Sequence, residues 1–286
     1  MSLEVSLEVD SLEVDSLEVV SKWTARIEAF AKLANTPDRS VPLEKNARAP
    51  HYLNRMGRNA RCVAAGVAYH ITQRGTNREQ VFFSNSDRRH YLELLRDNLP
   101  DSGVRVLAYC LMTNHVHLVA VPNAGDSLAV LFRRVHGRYA QYLNVRRKRT
   151  GHLWQNRYFS CPLASGSGHL ERALRYVECN PVRAGIVARP EEYRWSSAAA
   201  HLGAADHSGI LDLDFWRQDG GVERWSSLLA TPEEMVSLRL LRRCTYAGRP
   251  FGDEEFIKAL EERFDRTWRR WKFENIGMLA TAAGTG

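Results

Sequence analysis

Cysteine is scarce in this chain, and long apolar runs are absent. The five cysteines among 286 residues, Cys62, Cys110, Cys161, Cys179 and Cys244, are odd in number, scattered, and form no C-x-x-C pair. That pattern excludes a disulfide scaffold and fits a reducing, cytoplasmic setting. No cluster of Cys and His completes a closed structural zinc site. No apolar stretch approaches the roughly 20 residues that a membrane-spanning helix needs, so no membrane association is expected. The N-terminus has neither the basic start nor the apolar segment of a signal peptide. Acid is missing where base is abundant: residues 131–150 hold seven Arg and Lys and no Asp or Glu. With a formal net charge of +7, the expected partner is anionic, with nucleic acid foremost. At 44% apolar residues the chain can bury a core, and its length suits one large or two small domains.

Residues 1–57 read as a low-complexity N-terminal extension and linker, expected to be poorly ordered. Ser-Leu-Glu-Val recurs from Ser2, Ser6, Ser11 and Ser16, and the segment through Val20 carries six acids and no base. This is too short for a solenoid and matches a short tandem DNA repeat or a misplaced start codon. A short helix is expected over 21–35, followed by a Pro-bearing linker. Regular patterning runs from 58 to 203. Strands are predicted at 67–72, 104–110 and 115–121 and around 154–163, the second and third joined as a hairpin across Leu111 to Asn114. Helices are predicted behind a Ser86-Asp87-Arg88 cap, from Asp126 or Ser127, and over Gly168 to Cys179. The order predicts an α+β, ferredoxin-like (RRM-like) βαββαβα sheet with helices on one face. Residues 204–286 read as a helical, basic C-terminal appendage with a short tail. It is expected to help hold DNA through Arg239, Arg242, Arg243 and Arg249 without contributing a catalytic group.

The chemistry gathers at His115-Val116-His117, which opens an apolar strand. Residues i and i+2 of a strand share a face, so the two imidazoles can serve one metal. Tyr176 and Asn180, four apart near a helix end, share a helical face. Asn180 could add an amide oxygen as third ligand, and Tyr176 could act as a nucleophile. A two-histidine site suits Mn²⁺ better than oxygen-loving Mg²⁺, and either divalent ion would serve. Tyr158 is the rival nucleophile, in a strand context that favours core or DNA contact. Glu178 lies on another helical face and reads as a surface acid, with a catalytic role as the other option. His70 reads as a strand histidine with a local hydrogen bond. Arg74, Arg78, Arg133, Arg134, Arg138 and Arg157 are the candidate DNA contacts. Such groups would give salt-dependent affinity without base readout.

Five blocks carry a resemblance to a known family. They are Tyr69-His70-Ile71-Thr72-Gln73-Arg74-Gly75-Thr76-Asn77-Arg78-Glu79, Ala108 through Val119, Gly151-His152-Leu153-Trp154-Gln155-Asn156-Arg157-Tyr158, Tyr176 through Gly185, and Trp195-Ser196-Ser197. In order and wording they resemble the single-tyrosine HUH transposases, specifically the REP-associated tyrosine transposases, across roughly residues 58–203. Gly248-Arg249-Pro250 is a fainter echo. The resemblance implies the same fold and metal-assisted attack by Tyr176 on single-stranded or hairpin DNA. It also implies a 5′-phosphotyrosine with a free 3′-OH, and a homodimer. The competing readings are a non-catalytic nucleic-acid-binding module on the same sheet and a metal-dependent phosphoesterase in which water attacks.

Overall fold

A computed structural model describes residues 61–166, 168–217, 221–231 and 234–268. The expected N-terminal extension, its short helix and the C-terminal tail lie outside the described residues. Four strands form an antiparallel sheet in the order β2-β3-β1-β4: β1 (Ala68–Arg74), β2 (Val104–Met112), β3 (His115–Pro122) and β4 (Phe159–Leu163). The helices are α1 (Asn85–Ser102), α2 (Ser127–Arg146), α3 (His169–Glu178), α4 (Asn180–Arg183), α5 (Ala198–His201), α6 (Leu213–Arg217), α7 (Gly221–Ala230), α8 (Met235–Ala247) and α9 (Glu254–Phe264). The ferredoxin-like order read from the sequence is the order observed.

Local chemistry explains where the elements start. The cap of helix α1 is Ser84, two residues before the predicted one, because Asp87 is the third helical residue of a capping box, not the cap. Ser84 Oγ accepts from the Asp87 N–H at 3.2 Å, and the Asp87 carboxylate accepts from the Ser84 N–H at 2.8 Å. Strand β4 starts at Phe159, later than predicted. Trp154 makes a single bridge to Gly75 and spends its indole N–H on the His136 carbonyl at 3.1 Å. Gly75 is required by close approach: a Cβ there would lie 2.4 Å from the Glu79 carbonyl oxygen.

Pairing fixes which residues share a face. Thr72 stands opposite His117, and Arg74 opposite His115. Strand alternation therefore puts His70, Thr72, Arg74, His115 and His117 on one side. Gln73 points to the other side, where it lines a groove with Phe132 and His136 of α2 and donates to the Asn156 carbonyl at 2.8 Å. Helix α1 packs on α2, and Tyr91, Phe82 and Tyr139 interlock between them. The two helices of the βαββαβ unit thus share one face, while α3 and α8 cover the histidine face.

Residues beyond 203 pack into the same core, with Trp216, Trp225, Leu238, Leu241, Cys244 and Phe251 buried beside the strands. They also close the sheet. The outer edge of β2 pairs with Trp195–Ser197 and with Leu211 and Asp212, and the outer edge of β4 pairs with Phe251. Unpaired strand edges invite association with other chains, so this covering matters. Gly248, at φ +63°, ends α8 in the left-handed conformation and turns the chain toward Phe251. That accounts for Gly248-Arg249-Pro250.

Glu178, read above as a surface acid, is fully buried. Its carboxylate accepts from Ser197 Oγ at 2.5 Å, from Trp225 Nε1 at 2.7 Å and from His201 Nδ1. The sequence pattern located its helical face correctly but could not reveal that the 195–225 segment covers that face. Glu178→Ala would leave the buried Trp225 Nε1 and His201 Nδ1 without an acceptor and Ser197 with only the more distant Tyr109 carbonyl. It should lower the unfolding free energy by about 3 kcal/mol, read as a shift in the urea midpoint. Glu178→Gln keeps one acceptor and should cost less. Equal midpoints for wild type and Glu178→Ala would deny the carboxylate its structural role.

Candidate active site

Helix α3 is strongly amphipathic and lays Leu170, Ala173, Leu174, Tyr176 and Val177 against the sheet. The Tyr176 ring meets two histidines edge-on, with centroids 5.4 Å from His70 and 5.5 Å from His117. The rings of His115 and His117 are 4.8 Å apart. Residues far apart in sequence, on β1, β3 and α3, therefore converge at one point. Asn180 follows one turn after Tyr176, and its buried Nδ2 has no hydrogen-bond partner.

Each of the three imidazoles has a defined setting. His115 Nδ1 lies 2.6 Å from Asn114 Oδ1, and the Asn114 amide donates to the Arg78 carbonyl at 2.9 Å. His117 Nδ1 lies 2.9 Å from His70 Nε2, and the two rings stack at 5.1 Å. His70 Nδ1 lies 2.8 Å from Thr245 Oγ1. The hydrogen bonds of His70 are therefore long-range, not the local one predicted. Both its ring nitrogens are engaged, which leaves His115 and His117, each with Nε2 uncommitted, as the pair able to hold a cation. Among the described residues no three His, Cys, Asp or Glu side chains converge as a metal cluster, so any third protein ligand must be of another type, such as the amide of Asn180.

Positive charge surrounds this point. The Arg183 guanidinium lies over the Tyr176 ring at 4.4 Å and donates to the Tyr176 carbonyl. Arg74, Arg78 and Arg242 line an adjoining pocket of about 330 Å³ with Thr72, Gln155, Asn156, Phe159 and Tyr246. The buried Nε of Arg74 has no hydrogen-bond partner. Burial raises the Tyr176 phenol above its ordinary range, opposed chiefly by Arg183 and then by Arg242.

The remaining candidates lie elsewhere. Arg133, Arg157 and Tyr158 line a groove of about 900 Å³ on the α2 side, with Trp154, Gln73 and Arg61. Tyr158 is packed against Phe132 with Arg61 over its ring at 3.9 Å, and it has none of the three histidines as neighbours. Arg134 pairs with Asp101 at 3.4 Å on the surface, and Arg138 is exposed. Sequence reasoning missed Arg183, although it lies in the same block as Tyr176 one turn past Asn180. It also treated Arg242, Thr245 and Tyr246 as an appendage. The i, i+3, i+4 spacing of that trio marks a single helical face, but nothing local connects it to β1. No described helix is long and apolar enough to cross a membrane.

Residues 64–180 match the family model described as IS200-like transposase. Nine chains of solved structures match this chain. One is a REP-associated tyrosine transposase bound to a REP hairpin, at 16% identity and a TM-score of 0.45, covering 56% of this chain and 90% of that one. Another is a transposase candidate from Deinococcus radiodurans R1, at 20% identity and a TM-score of 0.30, covering 43% and 96% respectively. No curated protein matches significantly.

Burial keeps the imidazoles of this region neutral. It lowers His70 to about 3; it lowers His115 to about 4, with help from Arg74 and Arg242; and it holds His117 well below 6.5. His136, across the sheet, is lowered by burial to about 3. An unfolded chain protonates these groups near 6.5. Below that pH the unfolded state takes up protons that the folded state refuses, so stability falls as pH drops. The urea midpoint should hold steady from pH 8 to 7 and decline from 6.5 toward 4.5. A midpoint indifferent to pH between 7 and 5 would contradict this account.

Proposed function

We propose that this chain, whose residues 64–180 match the IS200-like transposase model, cuts and rejoins DNA strands through a covalent bond to Tyr176. The observation that carries this reading is the meeting of Tyr176 with the histidine pair inside a ring of arginines. Tyr176 is 7% exposed, and a site so covered suits an unpaired strand or the tip of a hairpin, not a duplex.

In the proposed reaction the phenol gives its proton to solvent and its oxygen bonds to phosphorus. The P–O3′ bond breaks, and the leaving oxygen takes up a proton to become a free 3′-OH. The 5′ end stays on the enzyme as a tyrosyl phosphodiester. Because that linkage keeps the energy of the bond it replaced, a 3′-OH can attack it and restore a DNA strand without an outside energy source. Arg183 and Arg242 favour the phenolate against the effect of burial. Arg74, with its unpartnered Nε, together with Arg78 and Arg242, supplies donors for phosphate oxygens. Neutral His115 and His117, with the amide of Asn180, form a donor set suited to Mn²⁺ or Mg²⁺. Such an ion would supply positive charge to the reacting phosphate. The arginines of the α2-side groove would extend the DNA track. A non-catalytic module of the RNA-recognition type needs an open sheet face with exposed aromatics. Here α3 and α8 cover the histidine face, which favours the enzyme.

Incubation with a labelled single-stranded hairpin oligonucleotide and Mn²⁺, followed by a denaturing gel, should give a protein-linked band. Tyr176→Phe should reduce that band to background while DNA binding persists, and Tyr158→Phe should retain it. Cleavage without an adduct would favour attack by water, and an adduct surviving Tyr176→Phe would displace Tyr176 as the nucleophile.

A further inference from the structure

Thr245 lies outside the region matched by the family model, 175 residues from His70, yet its hydroxyl touches the histidine row. The Oγ1 proton is already directed: it is donated to the Leu241 carbonyl, one turn back on α8, at 2.8 Å. Oγ1 therefore meets its other neighbours as an acceptor. One is Cys161 Sγ at 3.3 Å, and the other is His70 Nδ1 at 2.8 Å. A neutral imidazole that donates from Nδ1 must accept at Nε2. The group 2.9 Å from His70 Nε2 is His117 Nδ1, which must then be the protonated nitrogen of His117. The lone pair of His117 is left on Nε2.

We propose that Thr245 and His70 are positioning residues that fix the tautomer of His117, so that Nε2 keeps its lone pair for a divalent cation. The metal half of this statement rests on the reading of His117 as a ligand given above; the tautomer half does not. The chain Leu241 O, Thr245 Oγ1, His70, His117 passes orientation from a helix backbone to a strand without any gain or loss of protons. It also does mechanical work: with both nitrogens of His70 engaged, the His117 ring is held against rotation. Partners behind a ligating histidine commonly change metal affinity by ~10- to 100-fold. The C-terminal segment thereby gains a specific role at the site, beyond holding DNA.

Imidazole ¹⁵N shifts of the metal-free protein at pH 7.5 read the tautomer directly. Wild type should show His117 protonated on Nδ1 and bare on Nε2. Thr245→Val keeps the shape and removes the acceptor; it should shift His70 and His117 toward mixed tautomers and weaken Mn²⁺ binding, measured calorimetrically, by about tenfold. Thr245→Ser, which retains the hydroxyl, should restore both readouts. A wild-type His117 protonated on Nε2 overturns the relay, as do His117 shifts unchanged in Thr245→Val. Wild-type protein that binds no Mn²⁺ overturns the metal reading of the site, while the ¹⁵N shifts still decide the relay.

Discussion

The structure depends on the burial of one carboxylate. Polar side-chain oxygens cannot sit in a dry interior without hydrogen-bond partners directed at them. Glu178 meets this requirement with three groups from beyond its own helix: Ser197, His201 and Trp225. Ser197 in turn accepts from the Tyr109 N–H at 3.1 Å, and its own N–H donates to the Tyr109 carbonyl at 3.0 Å. One side chain thereby links α3, strand β2, the Trp195-Ser196-Ser197 block and helix α7. Tyr176 lies two residues before this knot. Its aim at the histidines follows from how firmly the opposite side of its helix is anchored.

The two faces of the sheet divide the labour. On the α2 side the packing is aromatic and dense, with Tyr139 donating to the Val81 carbonyl at 2.7 Å and Tyr91 3.0 Å from His136. On the other side the buried residues are polar, and each needs a partner: His70, His117, Thr72 and Thr245 are all nearly inaccessible. Buried polar rows specify geometry at the expense of raw stability. Here the row runs from α8 through β1 to β3 and ends beside the tyrosine.

Much of this was legible because it is periodic. The His-x-His pair on one strand face, the Tyr and Asn one turn apart, the hairpin and the two long helices follow from spacings of two and 3.6 residues. The Trp154–Tyr158 stretch has strand-like composition, but its groups are spent on a bridge and on carbonyls of neighbouring segments, so β4 starts later. Glu178 and Thr245 escaped for a different reason. A buried acid and a surface acid look alike within a helix, and only the packing of a distant segment separates them. The Trp195-Ser196-Ser197 block was recognisable as wording, but its purpose is visible only once Ser197 is seen holding both Glu178 and β2.

The distance in sequence between His70 and Thr245 has a consequence for the order in which the molecule is made. Chains emerge from the ribosome N-terminus first, and contacts that close very long loops form late. The sheet, the histidine pair and the tyrosine helix can all be synthesised before α8 exists. Until the segments beyond the tyrosine helix have been made, Glu178 lacks Trp225, His70 lacks Thr245 and the outer edge of β4 lacks Phe251. This frame is thus completed only when translation has passed residue 251, and a nascent or prematurely ended chain carries the tyrosine and the histidines without the segments that align them.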